Sequence, residues 1–312
     1  MVVCGQSTGK AGRGEGLVAA AIAAEVASLM VNFICVRCGI QFAESAAPPA
    51  RCPICEDPRQ YLGPNGQEWT SLETLAAGSR NVVRPIEPGI SGIATEPAFA
   101  IGQRAMLLES PEGNVLWDCI SFIDDATVEW VRSRGGLSAI AVSHPHYYSS
   151  VVEWSRRLGG VPVYLHADDA SWVMRPDPCI VPWEGGQLEI VPGATLIRVG
   201  GHFPGSSVLH WEAGAGGRGT LHTGDSVYVA ADKRYVSFMY SYPNLIPLPA
   251  SAVRRITSAV APFRFDRIYG AWWDAIVPNG AKKAVEVSAR RYIDAISEPA
   301  GAGTHLGELR VV

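Results

Sequence analysis

Two histidines one residue apart, closing a short apolar run, constrain this chain more than any other feature. The stretch Leu137-Ser-Ala-Ile-Ala-Val-Ser-His144-Pro-His146-Tyr-Tyr-Ser-Ser reads as a buried strand running into a polar turn. Two imidazoles so placed can point into one cleft and share a metal ion. Further along, Gly200-Gly-His202-Phe-Pro-Gly and Leu221-His-Thr-Gly-Asp225-Ser each close another apolar run. Three imidazoles and a carboxylate on successive strand ends suit zinc or iron. A lone His-x-His arises often by chance; the ordered set of four carries the reading.

A second set of donors lies upstream. Cys35-Val-Arg-Cys38-Gly and Cys52-Pro-Ile-Cys55 are two C-x-x-C pairs with the spacing of a tetrathiolate site. Each pair resembles a zinc-ribbon or rubredoxin knuckle, with Gly39 and Pro53 suited to the tight turns. Neighbouring cysteines of one knuckle bridge poorly, which argues against disulfides. Four thiolates accept zinc or iron. Structural zinc is favoured, because a unit this small does not fold on an apolar core alone. The seven cysteines of the chain suit a reducing compartment, leaving Cys4, Cys119 and Cys179 as free thiols and giving a cytoplasmic expectation.

At 312 residues the chain has room for one large unit and one small one. Its 47% hydrophobic content suffices for a sizeable core, and a net charge of -4 leaves no electrostatic footprint for nucleic acid. Residues 1–30 are expected to be a disordered extension, with Met30 an alternative start of the folded part. The Ala-rich run within them is interrupted by Glu25 and is too short to span a bilayer. Residues 31–80 are expected to hold the cysteine unit and its join, and 93–300 the large domain. Within the join, Gly63-Pro-Asn-Gly66 reads as a turn. A short helix is expected over 69–75, capped at Thr70 with Glu73 at the capping-box offset. Pro85, Pro88, Gly89 and Gly92 punctuate the rest. Trp69 is placed to tuck the small unit against the large one.

From residue 93 to 296 the order of motifs resembles the metallo-β-lactamase superfamily. Ala105-Met-Leu-Leu-Glu109 and Asn114-Val-Leu-Trp-Asp118 look like its opening hairpin, ending in an aspartate. Residues 127–134 look like the helix that follows, and 161–169 like the strand and turn after His144 and His146. His202 and Asp225 match the later metal histidine and the Thr-Gly-Asp aspartate. Residues 265–270 match the strand that delivers the last histidine, and 281–296 the closing helix. The resemblance implies an α/β fold of four layers, αββα, preceded here by the zinc-ribbon-like unit. The family's first motif is His-x-His-x-Asp-His, but Tyr148 and Ser149 stand in its last two positions, and Ala271-Trp272-Trp273 stands where the final histidine belongs. The ligands of a second metal are therefore missing, and one ion is expected at His144, His146 and His202, with Asp225 nearby.

Other histidines read as ordinary. His166 is expected to be a satisfied turn residue, His210 to pair across a sheet, and His305 to be solvated. His222 faces away from Asp225, because odd spacing on a strand reverses the face. Asp168 and Asp169 are expected to cap the helix around Trp172. The aromatic, proline-rich run 238–249 is either a pocket wall or a packed loop. The favoured function is a hydrolase acting on a small molecule, with zinc at both sites and iron acceptable to either. Asp225 would orient or deprotonate water, and Tyr147 or Tyr148 would donate to oxyanion charge. The alternatives are a mononuclear iron oxygenase built on His144, His202 and Asp225, and a metal-binding relic without catalysis.

Overall fold

The computed structural model describes Met1 and residues 30–297. The expected disorder of the N-terminal extension, the Cys4 thiol and His305 fall outside the described residues.

The described residues open with a two-stranded clip, β1 (Ile34–Cys35) antiparallel to β2 (Trp69–Thr70), which closes the cysteine unit. A sheet of seven strands follows in chain order: β3 (Arg80–Glu87), β4 (Ile90–Glu96), β5 (Ala105–Leu108), β6 (Val115–Trp117), β7 (Ala139–Ala141), β8 (Val163–His166) and β9 (Ile180–Trp183). Its first four strands are antiparallel, and β6 to β9 run parallel. The second sheet has the order β10 (Gln187–Val191), β11 (Ala194–Arg198), β12 (Ser207–Trp211), β13 (Thr220–His222), β18 (Arg267–Tyr269), β19 (Ile276–Val277). Between β13 and β18 come two small hairpins: β14 (Tyr228–Val229) with β15 (Val236–Ser237), and β16 (Met239–Ser241) with β17 (Ile246–Pro247).

Strand alternation sorts the apolar side chains into three seams. Met106, Leu108, Val115 and Trp117 from the first sheet meet Leu196, Leu209 and Trp211 from the second between the sheets. Their neighbours Ala105, Leu116 and Ile140 face the other way, onto α3 (Asp125–Ser133) and α4 (Val151–Arg157). On the far side, Ile197, Val208 and Leu221 pack beneath α5 (Ala250–Val260) and α6 (Ala281–Ser297). The result is the four-layer αββα sandwich. Helix α3 starts where the Asp124 carboxylate accepts the Thr127 amide at 2.8 Å, an ordinary cap.

The cysteine unit contains α1 (Pro53–Glu56), with proline at its first turn, and α2 (Leu72–Ala76). Helix α2 starts later than expected. Trp69 and Thr70 are taken up in β2, so the cap is Ser71, whose hydroxyl accepts the Thr74 amide at 3.2 Å. Trp69 meets Phe42 edge-on at 5.0 Å. The four cysteines, Ile40 and Ile54 belong to the same buried cluster as Ile93, Leu116 and Val151. The unit is thus rooted in the first sheet's outer seam. That sheet starts at Arg80, ahead of residue 93, because Pro85 sits in an edge strand where a missing amide costs nothing.

Candidate metal centre and its cleft

β11, β13 and β18 run in one direction in their sheet, and β6 and β7 run together in theirs. Side chains just past the C-terminal ends of these strands meet at one edge of the sandwich, where open sheets place ligands. His144 continues β7 in extended conformation, and the 3-10 turn Pro145–Tyr147 brings His146 back beside it. His202 stands in the loop after β11, and Asp225 follows the Thr-Gly turn after β13. Gly224 is needed for that approach: a Cβ there would collide with Ser143 Oγ and lie 2.8 Å from His144 Nδ1.

One ligand atom from each of His144, His146, His202 and Asp225 falls within 4.8 Å of the others. Asp225 Oδ2 is 3.5 Å from His144 Nε2, 3.7 Å from His202 Nε2 and 3.9 Å from His146 Nδ1. His202 Nε2 and His146 Nδ1 are 3.3 Å apart. A tetrahedral ion with metal–nitrogen bonds of about 2.0–2.1 Å separates its ligands by about 3.3 Å, so the donor set fits one metal. His144 Nε2 is buried without a hydrogen-bond partner, as an atom meant for a metal would be. Two of the three remaining ring nitrogens are fixed from behind, while His146 Nε2 is buried without a partner. His202 Nδ1 lies 3.3 Å from the Met239 carbonyl, and His144 Nδ1 lies 2.8 Å from Ser143 Oγ. The Tyr147 hydroxyl donates to Asp225 Oδ1 at 2.8 Å, which turns Oδ2 toward the imidazoles.

Burial pushes His146 down to about 4 and His202 well below its ordinary value. Both are neutral at pH 7, as ligands must be. Burial would raise Asp225, but the imidazoles around it, His144 foremost, hold it well below the usual carboxylate range. Asp118, at the end of β6 with φ 58°, accepts the Ser143 amide at 2.8 Å and so fixes the residue before His144. Burial raises its carboxyl to about 7.

Tyr147 and Tyr148 part company. Tyr147 is committed to Asp225, while the Tyr148 ring lies in the outer seam and lines a small pocket with Ile40, Val151 and Met174. Ser149 bonds Gln103 and the Cys119 carbonyl. Ala271 is buried, and its carbonyl accepts the Arg104 amide at 2.8 Å. The three positions that depart from the family pattern are occupied by packing and backbone contacts. His166 caps the turn after β8, bonding the Asp168 amide and the Gly185 carbonyl, so that Asp168 is not the cap. Asp169 instead accepts the Gly205 amide at 2.8 Å and braces the His202 loop. His222 contacts Thr220 and Tyr269, and His210 contacts the Arg264 carbonyl, both away from the site.

The second donor group is Cys35, Cys38, Cys52 and Cys55, all buried, with Cys35–Cys55 at 3.5 Å and Cys38–Cys52 at 3.6 Å between sulfurs. A tetrahedral ion with metal–sulfur bonds of about 2.3 Å needs sulfurs about 3.8 Å apart, so this set also fits one metal. Hydrogen bonds from Cys38, Cys52 and Cys55 draw the Cys35 thiol far down, while burial drives Cys38 up. Gly39, at φ 79°, makes the knuckle turn, and a Cβ there would run into Ser121.

A cleft of about 420 Å³ opens onto His146 and Asp225. Tyr228, Tyr242 and Trp272 form one wall, so the 238–249 run contributes a pocket wall through Tyr242. The cysteine unit contributes Arg37, Arg59, Gln60 and Tyr61 to the same lining. Arg59 is held by Asp57 at 2.6 and 2.8 Å, donates to the His202 carbonyl at 3.0 Å, and stacks over Phe203. Ser241 and Asn244 both donate to the Pro58 carbonyl. None of these contacts carries a local sequence signal.

A profile described as the metallo-beta-lactamase superfamily matches residues 100–280. The chain belongs to that superfamily. An uncharacterized protein of Bacillus subtilis (strain 168), YmaE, is 48% identical over 270 residues, covering 86% of this chain and 98% of its own length. Among solved structures, VMB-1 at pH 5.5 aligns with a TM-score of 0.53 at 11% identity, over 70% of this chain and 99% of its own. FIM-1 from Pseudomonas aeruginosa, in a mono-zinc form, aligns at 0.50 and 15%, over 70% and 97%. At these identities the likeness concerns the fold. Among the described residues, no helix is long and apolar enough to cross a membrane.

Proposed function

We propose that the protein is a metal-dependent hydrolase of a small ester-like molecule, using one zinc ion held by His144, His146 and His202, with Asp225 beside it to orient water, and a second, structural zinc at Cys35, Cys38, Cys52 and Cys55. The observation that carries this reading is the convergence of the four donor atoms on one point at the floor of an open cleft. When bound, the histidine-site zinc supplies Lewis acidity and makes water acidic enough to act as a nucleophile near neutral pH. The chain's own residues do the rest. Tyr147 holds Asp225 with one oxygen toward the imidazoles. The Met239 carbonyl and Ser143 fix the ring orientations of His202 and His144. Tyr228, Tyr242 and Trp272 give the substrate an aromatic wall. With its hydroxyl committed to Asp225, Tyr147 acts as a positioning residue rather than an oxyanion donor. The six described cysteines are unpaired thiols, which suits a cytoplasmic location.

The test is turnover of lactone, thioester and phosphodiester probes by the zinc-loaded full chain. We expect at least one class to be hydrolysed, and His202→Ala to lose both that activity and the histidine-site metal. Turnover that needs iron and oxygen would favour the oxygenase reading. Metal binding without turnover of any probe would favour the relic.

A further inference from the structure

Of the side chains lining the cleft, Arg37, Arg59 and Asp225 carry charge beside the metal-site histidine. Asp225 is turned into the donor group, and Arg59 is neutralised by Asp57. Arg37 is different. It sits inside the first cysteine knuckle, between Cys35 and Cys38, and its guanidinium carbon lies over the Tyr61 ring, 3.6 Å from the centroid. Its Nε is buried without a hydrogen-bond partner. No carboxylate among the described residues comes within ion-pair distance of it. A planar cation stacked on an aromatic ring, with its fork of donors unused, is prepared for a planar or tetrahedral oxyanion. Arg37 is half-buried, with its Nε fully shielded, and an anionic ligand would offset the cost of holding that unpaired charge partly out of water.

We propose that Arg37 is the substrate's anion-binding residue, so that the preferred substrates are small ester-like molecules carrying a carboxylate or phosphate group away from the bond that is cleaved. This rests on the hydrolase reading of the histidine cleft. It also gives the cysteine unit a role beyond stability: its metal holds the knuckle that presents Arg37, and its following loop presents Arg59, Gln60 and Tyr61. Recognition of the substrate and binding of the metal that acts on it are thereby divided between the two parts of the chain.

Two arms of one experiment separate this proposal from the reading beneath it. In the first, the zinc-loaded full chain is titrated calorimetrically with glutarate and with inorganic phosphate. Removing a charge-assisted pair should weaken whichever anion fits by about ten- to a hundredfold in Arg37→Gln, while Arg37→Lys keeps most of the affinity. The anion that shows the drop identifies the group; equal affinity of wild type and Arg37→Gln for both anions overturns the proposal. In the second arm, kcat/KM is compared for mono-4-nitrophenyl glutarate and the neutral 4-nitrophenyl butyrate. Wild type should prefer the anionic ester, and Arg37→Gln should lose the preference. If neither ester nor any of the lactone, thioester and phosphodiester probes turns over but anion binding still falls in Arg37→Gln, the hydrolase reading fails and the anion site stands. If both esters turn over alike in wild type and variant, the hydrolase reading stands and the anion site fails. Should Arg37→Gln lose its thiolate-bound metal, the wild-type protein still decides the matter. Glutarate or phosphate should protect Arg37 from phenylglyoxal, read by mass spectrometry, and an unprotected Arg37 overturns the proposal.

Discussion

The two donor groups of this chain have four candidate donors each and opposite surroundings. The four cysteines are at most 2% exposed and lie in an apolar seam shared with the first sheet. The histidine group has the same burial behind it but opens forward, through His146 and Asp225, onto the cleft. Closed thiolate sites stabilise folds, whereas sites that face a cavity leave room for a substrate to approach. The contrast also shows that the parts are not independent, because the cysteine unit lines the cleft through Arg37, Arg59, Gln60 and Tyr61.

The largest effect that would break this comparison comes from Cys52→Ser. A structural zinc contributes roughly 10 kcal/mol or more of binding free energy, which is comparable to the whole stability of a typical domain. We expect the variant to lose its thiolate-bound zinc and the protease resistance of residues 31–79. It should also lose about a hundredfold in turnover, because Arg59 no longer braces the His202 carbonyl. An independent cysteine unit would instead lose the metal and leave turnover intact, and limited proteolysis with a parallel assay separates the two.

The distinction between the sites was legible in the sequence where the signals were local. Cys-x-x-Cys pairs and a His-x-His at a strand end each place their donors within one turn, so spacing alone fixes the geometry. The departures from the family's second-metal positions were likewise readable at Tyr148, Ser149 and Ala271, which the structure commits to packing and hydrogen bonds elsewhere. The supporting contacts were not legible, because they join distant segments. Arg59 reaches a carbonyl 143 residues away, and Ser241 meets Pro58 across 183. β3 and β4 were obscured by Pro85, Gly89 and Gly92, which normally break strands. Here Pro85 lies on a sheet edge, Gly89 makes the turn at φ 79°, and Gly92 leaves space for the Trp273 ring. Tyr147 was visible as a candidate, but its role depended on which way the hydroxyl points.

A smaller effect sharpens the account of the open site. Tyr147→Phe leaves Asp225 Oδ1 without its donor, while His144, His146, His202 and Asp225 all remain. Loss of such a supporting contact typically costs 10- to 100-fold in metal affinity or activity. We expect a drop in that range by chelator competition, with the cysteine site unaffected. Unchanged affinity and turnover would show that Asp225 needs no bracing.

The smallest effect concerns a buried histidine outside both donor groups. Burial lowers His222 to about 3 from an ordinary 6.5. The unfolded chain therefore takes up a proton that the folded chain refuses. Its contribution is fully present above about pH 6.5 and is lost as pH falls from there toward 3. By pH 5 the loss amounts to roughly 2 kcal/mol. His222→Phe should remove that part of the acid sensitivity, seen as a shallower fall of the urea midpoint between pH 7 and pH 5 than in wild type. Parallel curves would contradict the assignment.

Metal content per chain, measured on protein purified without a metal-chelating tag, tests the central claim most directly. One closed site and one open, single-ion site predict two equivalents of zinc in the wild type. Cys52→Ser and His202→Ala should each retain one. Three equivalents in the wild type would mean a second ion beside the histidines despite Tyr148, Ser149 and Ala271, and two equivalents surviving in His202→Ala would remove His202 from the metal site.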